Sequence, residues 1–96
     1  MTNRFMLSVD NATAQQQDAI TTWLRSTQLG FWHYLSHAWL VVDRTDTYNV
    51  NSLRDQVTRL VPGATFIIVV VADPNGWAGY GPSPKFEWLH SVWMKP

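Results

Sequence analysis

The most constraining feature of the sequence is residues 64–72, Ala-Thr-Phe-Ile-Ile-Val-Val-Val-Ala, in which eight of the nine residues are apolar. The segment is too short to cross a bilayer, which takes about 20 apolar residues as a helix. Its run of β-branched residues predicts a strand. Because successive side chains of a strand point to opposite faces, this strand needs apolar cover on both sides.

The length of the chain limits what can provide that cover. With 96 residues there is room for one small domain and about two helices, and one helical layer covers only one face of a sheet. We therefore expect a second copy of the chain to cover the other face, in a homodimer. The predicted dimer interface consists of Phe66, Ile67, Ile68, Val69, Val70, Val71 and Trp39.

Composition narrows the functional classes. Lys plus Arg and Asp plus Glu both number 7, so the chain lacks the basic excess that non-specific phosphate binding requires, and nucleic acid is not a favoured partner. The absence of cysteine excludes a disulfide framework and a thiolate zinc site. No secretory signal pattern precedes the first strand-like segment, so we expect a cytoplasmic protein with no membrane association.

The first half of the chain predicts a strand, a helix and a hairpin. Residues 4–9 alternate as a strand, and Thr13 with Gln16 has the spacing of a capping box for a helix from about Ala14 to about Thr27. Two apolar runs, residues 31–35 and 38–42, are separated by Ser36-His37 and predict a hairpin. Ser-His is a poor pair for the tight primed turns, so the loop is predicted to be two residues or longer.

The second half predicts a helix, the apolar strand and an appendage. Asn49 is predicted to cap a helix that ends at Pro62-Gly63. The order strand, helix, strand, strand, helix, strand predicts a single α+β domain, residues 1–96, with a ferredoxin-like core at 1–73. Its four-stranded antiparallel sheet carries both helices on one face, with the first and last strands adjacent.

Residues 74–96 form an appendage outside that fold. Residues 77–84 are a loop rich in glycine and proline, and Ser83-Pro84 suits the start of a short terminal helix. Its three tryptophans need a surface, either on the chain's own sheet or on a partner subunit. The predicted interaction surface consists of Trp77, Tyr80, Trp88 and Trp93.

Several of these segments together carry a resemblance to a known family. They are residues 5–10 (Phe-Met-Leu-Ser-Val-Asp), Trp32-His33, residues 39–42, the strand 66–72, Trp77 with Gly79, and Trp88-Leu89. The chain resembles the small SinR-like proteins, which are grouped with the VapD-like proteins and the small ferredoxin-like endonuclease subunit of CRISPR adaptation. The resemblance implies a homodimer whose sheets face each other, acting as a metal-dependent nuclease or as a structural partner. It also implies a metal-associated aspartate at the end of the first strand, a position matched by Asp10.

Asp10 has two interpretations. A lone carboxylate after a strand commonly caps the following turn, and Asp10-Asn11 suits an Asx-turn. Alternatively, the Asp10 residues of two subunits meet near the dimer axis and hold magnesium or manganese, which activates water against a phosphodiester. The other candidate carboxylates, Asp43, Asp46 and Asp73, lie at turns with no shared spacing.

The remaining side chains favour packing over chemistry. His33 and His37 are expected to be packed or at the surface. Trp32, Tyr34 and Trp39 could stack bases on an open sheet, but only Arg4, Arg44 and Lys85 would accompany them. Core and interface packing is therefore the preferred role of these aromatics.

Two functions follow from the sequence. The first is a non-enzymatic, homodimeric interaction module without a cofactor, presenting its helices and the 77–84 loop to a protein partner in a nucleic-acid-related or defence-related system. The second is a metal-dependent nuclease that uses Asp10. The first is preferred, because no carboxylate cluster or positioned base accompanies Asp10.

Overall fold

Six regular elements follow each other in the predicted order of strands and helices. The computed structural model describes residues 2–96, so Met1, the first residue of the predicted domain, lies outside the described residues. The strands are Asn3–Val9 (β1), Gly30–Leu35 (β2), Ala38–Asp43 (β3) and Phe66–Val70 (β4). The helices are Ala14–Arg25 (α1) and Val50–Leu60 (α2).

The four strands form one antiparallel sheet in the order β2-β3-β1-β4. Leu7 of β1 lies opposite Trp39 of β3 on one side and Ile68 of β4 on the other. This order confirms the predicted ferredoxin-like α+β fold and the predicted pairing of the first and last strands. It also places β4, the most apolar strand of the chain, at an edge of the sheet.

Both helices begin at the predicted caps. The Thr13 side chain accepts from the Gln16 backbone N–H at 3.1 Å, and the Gln16 side chain accepts from the Thr13 N–H at 2.9 Å. Asn49 and Ser52 form the same reciprocal pair, at 2.9 Å in each direction. Each box satisfies donors that a helix start otherwise leaves unpaired.

Helix α1 ends at Arg25, slightly before the predicted end at about Thr27. The reason lies in the two hydroxyl side chains that follow it. Ser26 and Thr27 donate to the carbonyl oxygens of Trp23 and Leu24, at 2.6 and 2.7 Å. These side-chain bonds satisfy the last carbonyls of the helix in place of a further turn.

The predicted hairpin between β2 and β3 has a two-residue loop, Ser36-His37, with Leu35 paired to Ala38. Neither loop residue has a positive φ, so the turn is not of a primed type. The pairing shifts register between Trp32 and Leu35 instead. Such an irregularity changes the local twist of a strand and accommodates a turn that primed geometry does not provide.

The main core lies between the helices and one face of the sheet. Strands β1 and β3 provide its floor and the two helices its cover. Its buried members are Phe5, Leu7, Val9, Ile20, Leu24, Leu29, Trp39, Val41, Leu53, Val57 and Val61. Among residues 2–96 no helix combines the length and the apolar character that a membrane span requires.

A second, smaller core lies on the opposite face of the sheet, under residues 74–96, which we call the tail. The tail contains a 3₁₀ turn, Ser83–Phe86, and a π-helical turn, Leu89–Trp93. Leu89 and Trp93 are buried against Trp32 of β2 and Val42 of β3. The tail therefore folds onto its own sheet and covers the β2–β3 half of the face that we expected a second subunit to cover.

Candidate interaction surfaces

Two arginines fasten the tail to the sheet. Arg4 on β1 is 8 % exposed and donates from Nε to the Trp93 carbonyl oxygen at 2.7 Å and from a terminal nitrogen to the Lys95 carbonyl oxygen at 2.6 Å. Arg44, just after β3, donates to the carbonyl oxygens of Val92 and Pro96 at 2.6 and 2.8 Å. Cations at the carboxyl end of a helical segment also interact favourably with the negative end of its dipole.

These bonds decide what the two arginines are available for. Burial, and then the positive charge of Arg44, lower the pKa of the Arg4 guanidinium from its ordinary value. Both guanidinium groups use N–H donors for hydrogen bonds to backbone carbonyl oxygens of the tail. Of the three basic residues considered for nucleic-acid binding, only Lys85 remains without such a role among the described contacts, which weakens that interpretation further.

The tail and β2 enclose an aromatic groove with a volume of about 320 Å³. Its base is formed by stacked rings: Phe86 lies 6.3 Å from Trp32 and 6.1 Å from Trp77 between ring centroids, with interplanar angles of 28° and 14°. Tyr34 and Tyr80 line its rim, and Tyr80 is fully exposed. The Lys85 ammonium lies 5.8 Å from the centroid of the Tyr34 ring, within range of a cation–π contact.

At Gly79 the loop backbone packs closely against the Phe86 ring at the base of this groove. A Cβ built on Gly79 would lie 2.6 Å from Cε1 of Phe86, closer than real carbon atoms approach each other. Trp32 Nε1 donates to the Lys85 carbonyl oxygen at 2.6 Å and so ties the groove floor to the 3₁₀ turn. A glycine at position 79 is therefore required where the loop crosses the aromatic ring.

The four tail residues predicted as an interaction surface divide into two groups. Trp77 and Tyr80 line the aromatic groove, where they can meet a ligand. Trp93 is 2 % exposed and Trp88 is half-buried, with its ring 6.0 Å from that of Trp93. The prediction for Trp93 is wrong, because this side chain anchors the tail in the second core. The sequence reasoning also missed Phe86, which forms the base of the groove.

The predicted dimer interface divides in a similar way. Trp39 is 0 % exposed and packs in the main core, so its prediction as an interface residue is wrong. Phe66 and Ile68 are half-buried against the same core. Val71 packs on the edge of the second core. The side chains that stay open are Ile67, Val69 and Val70, with 59 %, 36 % and 62 % of their surface exposed.

Asp10 lies at the mouth of a broad, open depression of about 720 Å³ at the end of β1. His37 and Ser8 also line this depression. Among residues 2–96 the Asp10 carboxylate accepts no hydrogen bond, while its backbone N–H donates to the Thr65 carbonyl oxygen at 2.8 Å. No group of three His, Asp or Glu side chains that could hold a metal ion forms within this described part of the chain. The nuclease alternative therefore depends on a second Asp10 from a partner subunit.

The other polar candidates have structural roles. The Asp43 carboxylate is buried and accepts from the backbone N–H groups of Thr45 and Tyr48, at 3.2 and 2.7 Å, which shapes the loop before α2. The His33 ring stacks on Trp39 at 4.1 Å between centroids, and its Nδ1 lies 2.9 Å from the Ala38 carbonyl oxygen. His33, which we expected to be packed or at the surface, is half-buried and packs on Trp39.

The fold and these surfaces define a ferredoxin-like α+β domain with an aromatic groove on one face and an open apolar strand at one edge. Comparison with protein-family models, with curated proteins and with solved structures finds no match for this chain.

Proposed function

We propose that the chain is a non-enzymatic, homodimeric interaction module of the SinR-like type, acting in a nucleic-acid-related or defence-related system. The observation that supports this proposal most strongly is the exposure of Ile67, Val69 and Val70 on an edge strand that carries no charge. Exposed apolar patches that include an unpaired strand are typical of surfaces that bind another chain.

The aromatic groove is the surface proposed for a partner other than the chain itself. It is concave and mainly apolar, and its rim carries two tyrosines, a residue type enriched in binding interfaces. An extended segment of a partner protein fits this shape, because flat aromatic walls receive extended backbone in several known recognition modes. In this proposal the tail builds the binding surface and β4 joins the two subunits.

Substitution of Ile67 by lysine tests the homodimer. We expect the native chain to sediment as a dimer at micromolar concentration, and I67K to raise the dimer dissociation constant by at least about 100-fold. Each subunit would lose an apolar contact and bring a charge to the interface. Leu35→Lys is the matched control, because Leu35 is 49 % exposed at the opposite edge of the sheet. A native chain that sediments as a monomer contradicts the proposal.

The nuclease hypothesis makes a separate prediction. With magnesium or manganese present, we expect neither single-stranded RNA nor DNA to be cleaved above background by the native chain or by Asp10→Ala. The physical reason is that no group of three His, Asp or Glu side chains able to hold a metal ion forms among residues 2–96. Cleavage by the native chain that disappears in D10A, with D10N as a second variant and Asp18→Ala as an exposed control, would establish the nuclease instead.

A further inference from the structure

The backbone N–H and C=O groups on the outer edge of β4 are arranged symmetrically about the middle of the strand. On its inner side, Val71 N–H donates to the Arg4 carbonyl oxygen and Asp10 N–H donates to the Thr65 carbonyl oxygen, both at 2.8 Å. Hydrogen-bonding direction alternates along an antiparallel strand. The N–H and C=O groups of the intervening residues Phe66, Ile68 and Val70 therefore point away from β1, and they are symmetric about Ile68.

This edge lacks the features that normally prevent pairing with another strand. β4 contains no proline and no charged residue, and its pairing with β1 runs without a register shift. It is the last strand of the sheet on its side. An apolar edge of this kind is a template for another strand.

We propose that two copies of the chain join by antiparallel pairing of β4 with β4, about a two-fold axis at Ile68, to form one continuous eight-stranded sheet. The inference rests on the homodimer proposed above but replaces the face-to-face packing that the resemblance implies, because the tail already covers the β2–β3 half of that sheet face. Ile68 then faces Ile68 of the partner subunit, and Phe66 faces Val70 of the partner subunit. This register pairs the outward N–H and C=O groups of all three residues and overlaps the full length of both strands.

Charge and side-chain chemistry favour a second copy as the occupant. The chain has a net charge of zero and β4 carries no charge, so identical copies meet without electrostatic repulsion. Ile67 would lie opposite the partner's Val69, in a non-hydrogen-bonded pair whose side chains approach closely. Both side chains are exposed in the single chain and would gain apolar contacts in the dimer.

The same geometry has a consequence for Asp10. Asp10 lies level with Thr65, at the far end of β4 from Val70. With strands about 4.8 Å apart and a rise of about 3.4 Å per residue, the two Asp10 positions of the dimer are roughly 25 Å apart. One metal ion cannot bridge that distance, so this dimer and a metal shared by two Asp10 residues are mutually exclusive.

Pairs of introduced cysteines provide a direct test, because the chain has no cysteine of its own. In the double variant I67C/V69C, the thiol at position 67 would face the thiol at position 69 of the partner subunit. Their Cα atoms would be about 4.5 Å apart, a distance that a disulfide spans. We expect mild oxidation at dilute concentration to convert most of this variant into a covalent dimer on a non-reducing gel. The single variants I67C and V69C are matched controls and should stay monomeric on that gel, because their identical positions lie about 8 Å apart.

The outcomes distinguish this register from the homodimer itself. A covalent dimer formed by I67C alone, or by V69C alone, overturns the axis at Ile68 and leaves the homodimer standing. A native chain that sediments as a dimer while I67C/V69C yields no covalent product overturns β4 pairing about Ile68. A native chain that sediments as a monomer overturns both proposals and leaves the edge to an extended segment of another protein.

Amide hydrogen exchange on the native chain gives a second measurement that needs no variant. In the proposed dimer the N–H groups of Phe66, Ile68 and Val70 are hydrogen-bonded across the axis, so their exchange should slow by at least about 10-fold as the protein concentration rises through the dimer dissociation constant. Ser36 and His37, in the β2–β3 turn, are the reference sites and should not respond. Unchanged exchange at Ile68 in a sample that sediments as a dimer contradicts the pairing.

Discussion

Replacing Trp39 by alanine is expected to lower the free energy of unfolding by about 3–5 kcal/mol. Trp39 is the largest fully buried side chain, it stacks on His33, and its Nε1 donates to Thr21 Oγ1 at 3.2 Å. The substitution leaves a large void between β3 and α1. Equilibrium denaturation in urea, followed by circular dichroism, measures the loss.

The control for this prediction is Trp39→Phe, which keeps an aromatic ring but removes the donor. We expect it to cost about 1–2 kcal/mol, from a lost hydrogen bond and a smaller void. It should also leave the sedimentation of the protein unchanged, because Trp39 is inaccessible to a second subunit. A loss below about 1 kcal/mol for W39A, or a monomeric W39F from a dimeric parent, would be incompatible with the position of this residue in the main core.

Replacing Trp93 by alanine is expected to lower the free energy of unfolding by about 3 kcal/mol and to loosen the tail. Trp93 is buried against the sheet, and its carbonyl oxygen accepts the Arg4 bond at 2.7 Å. Amide exchange should show that the tail opens before the two helices and the four strands, because the attachment of the tail depends on few buried side chains. Denaturation and exchange on the same sample separate the two effects.

Tyr80→Ala is the matched control for the tail. Tyr80 belongs to the same segment but is fully exposed, so we expect a change within about 0.5 kcal/mol. If Y80A destabilised the protein as much as W93A, or if the tail amides of W93A exchanged no faster than those of the native chain, the second core would not be what holds the tail.

The locally determined features of this fold were predictable from the sequence. The capping boxes at Thr13 and Asn49 use side chains within three residues of each other, so their spacing along the chain contains all the information needed. The element order restricted the sheet to few topologies, and short connections selected the ferredoxin-like one. The adjacency of β1 and β4 followed from that topology.

The cover of the second sheet face was not predictable in the same way. The hydrophobic pattern showed that an apolar surface needs cover, but it does not specify whether the chain's own tail or another copy supplies it. That choice depends on contacts between distant residues, such as Arg4 with the carbonyl oxygens of Trp93 and Lys95. The interface prediction for Trp39 failed for a related reason, because alternation alone does not tell which face of β3 meets the helices.

The aromatic groove was only partly foreseen. Trp77 and Tyr80 stood out as aromatics in a glycine-rich loop, and the structure places both at the groove. Phe86 and Trp32 resembled ordinary core residues in the sequence, since their role depends on ring stacking between the tail and β2. The need for glycine at position 79 becomes evident only when the position of the Phe86 ring is known.

The attachment of the last five residues by Arg4 and Arg44 has a practical consequence for handling the protein. An affinity tag or fluorophore fused after Pro96 would add chain where Arg44 already donates to the Pro96 carbonyl oxygen. Labels are better placed at Asn75, in the exposed turn between β4 and the aromatic groove, where the backbone is held by Asp73.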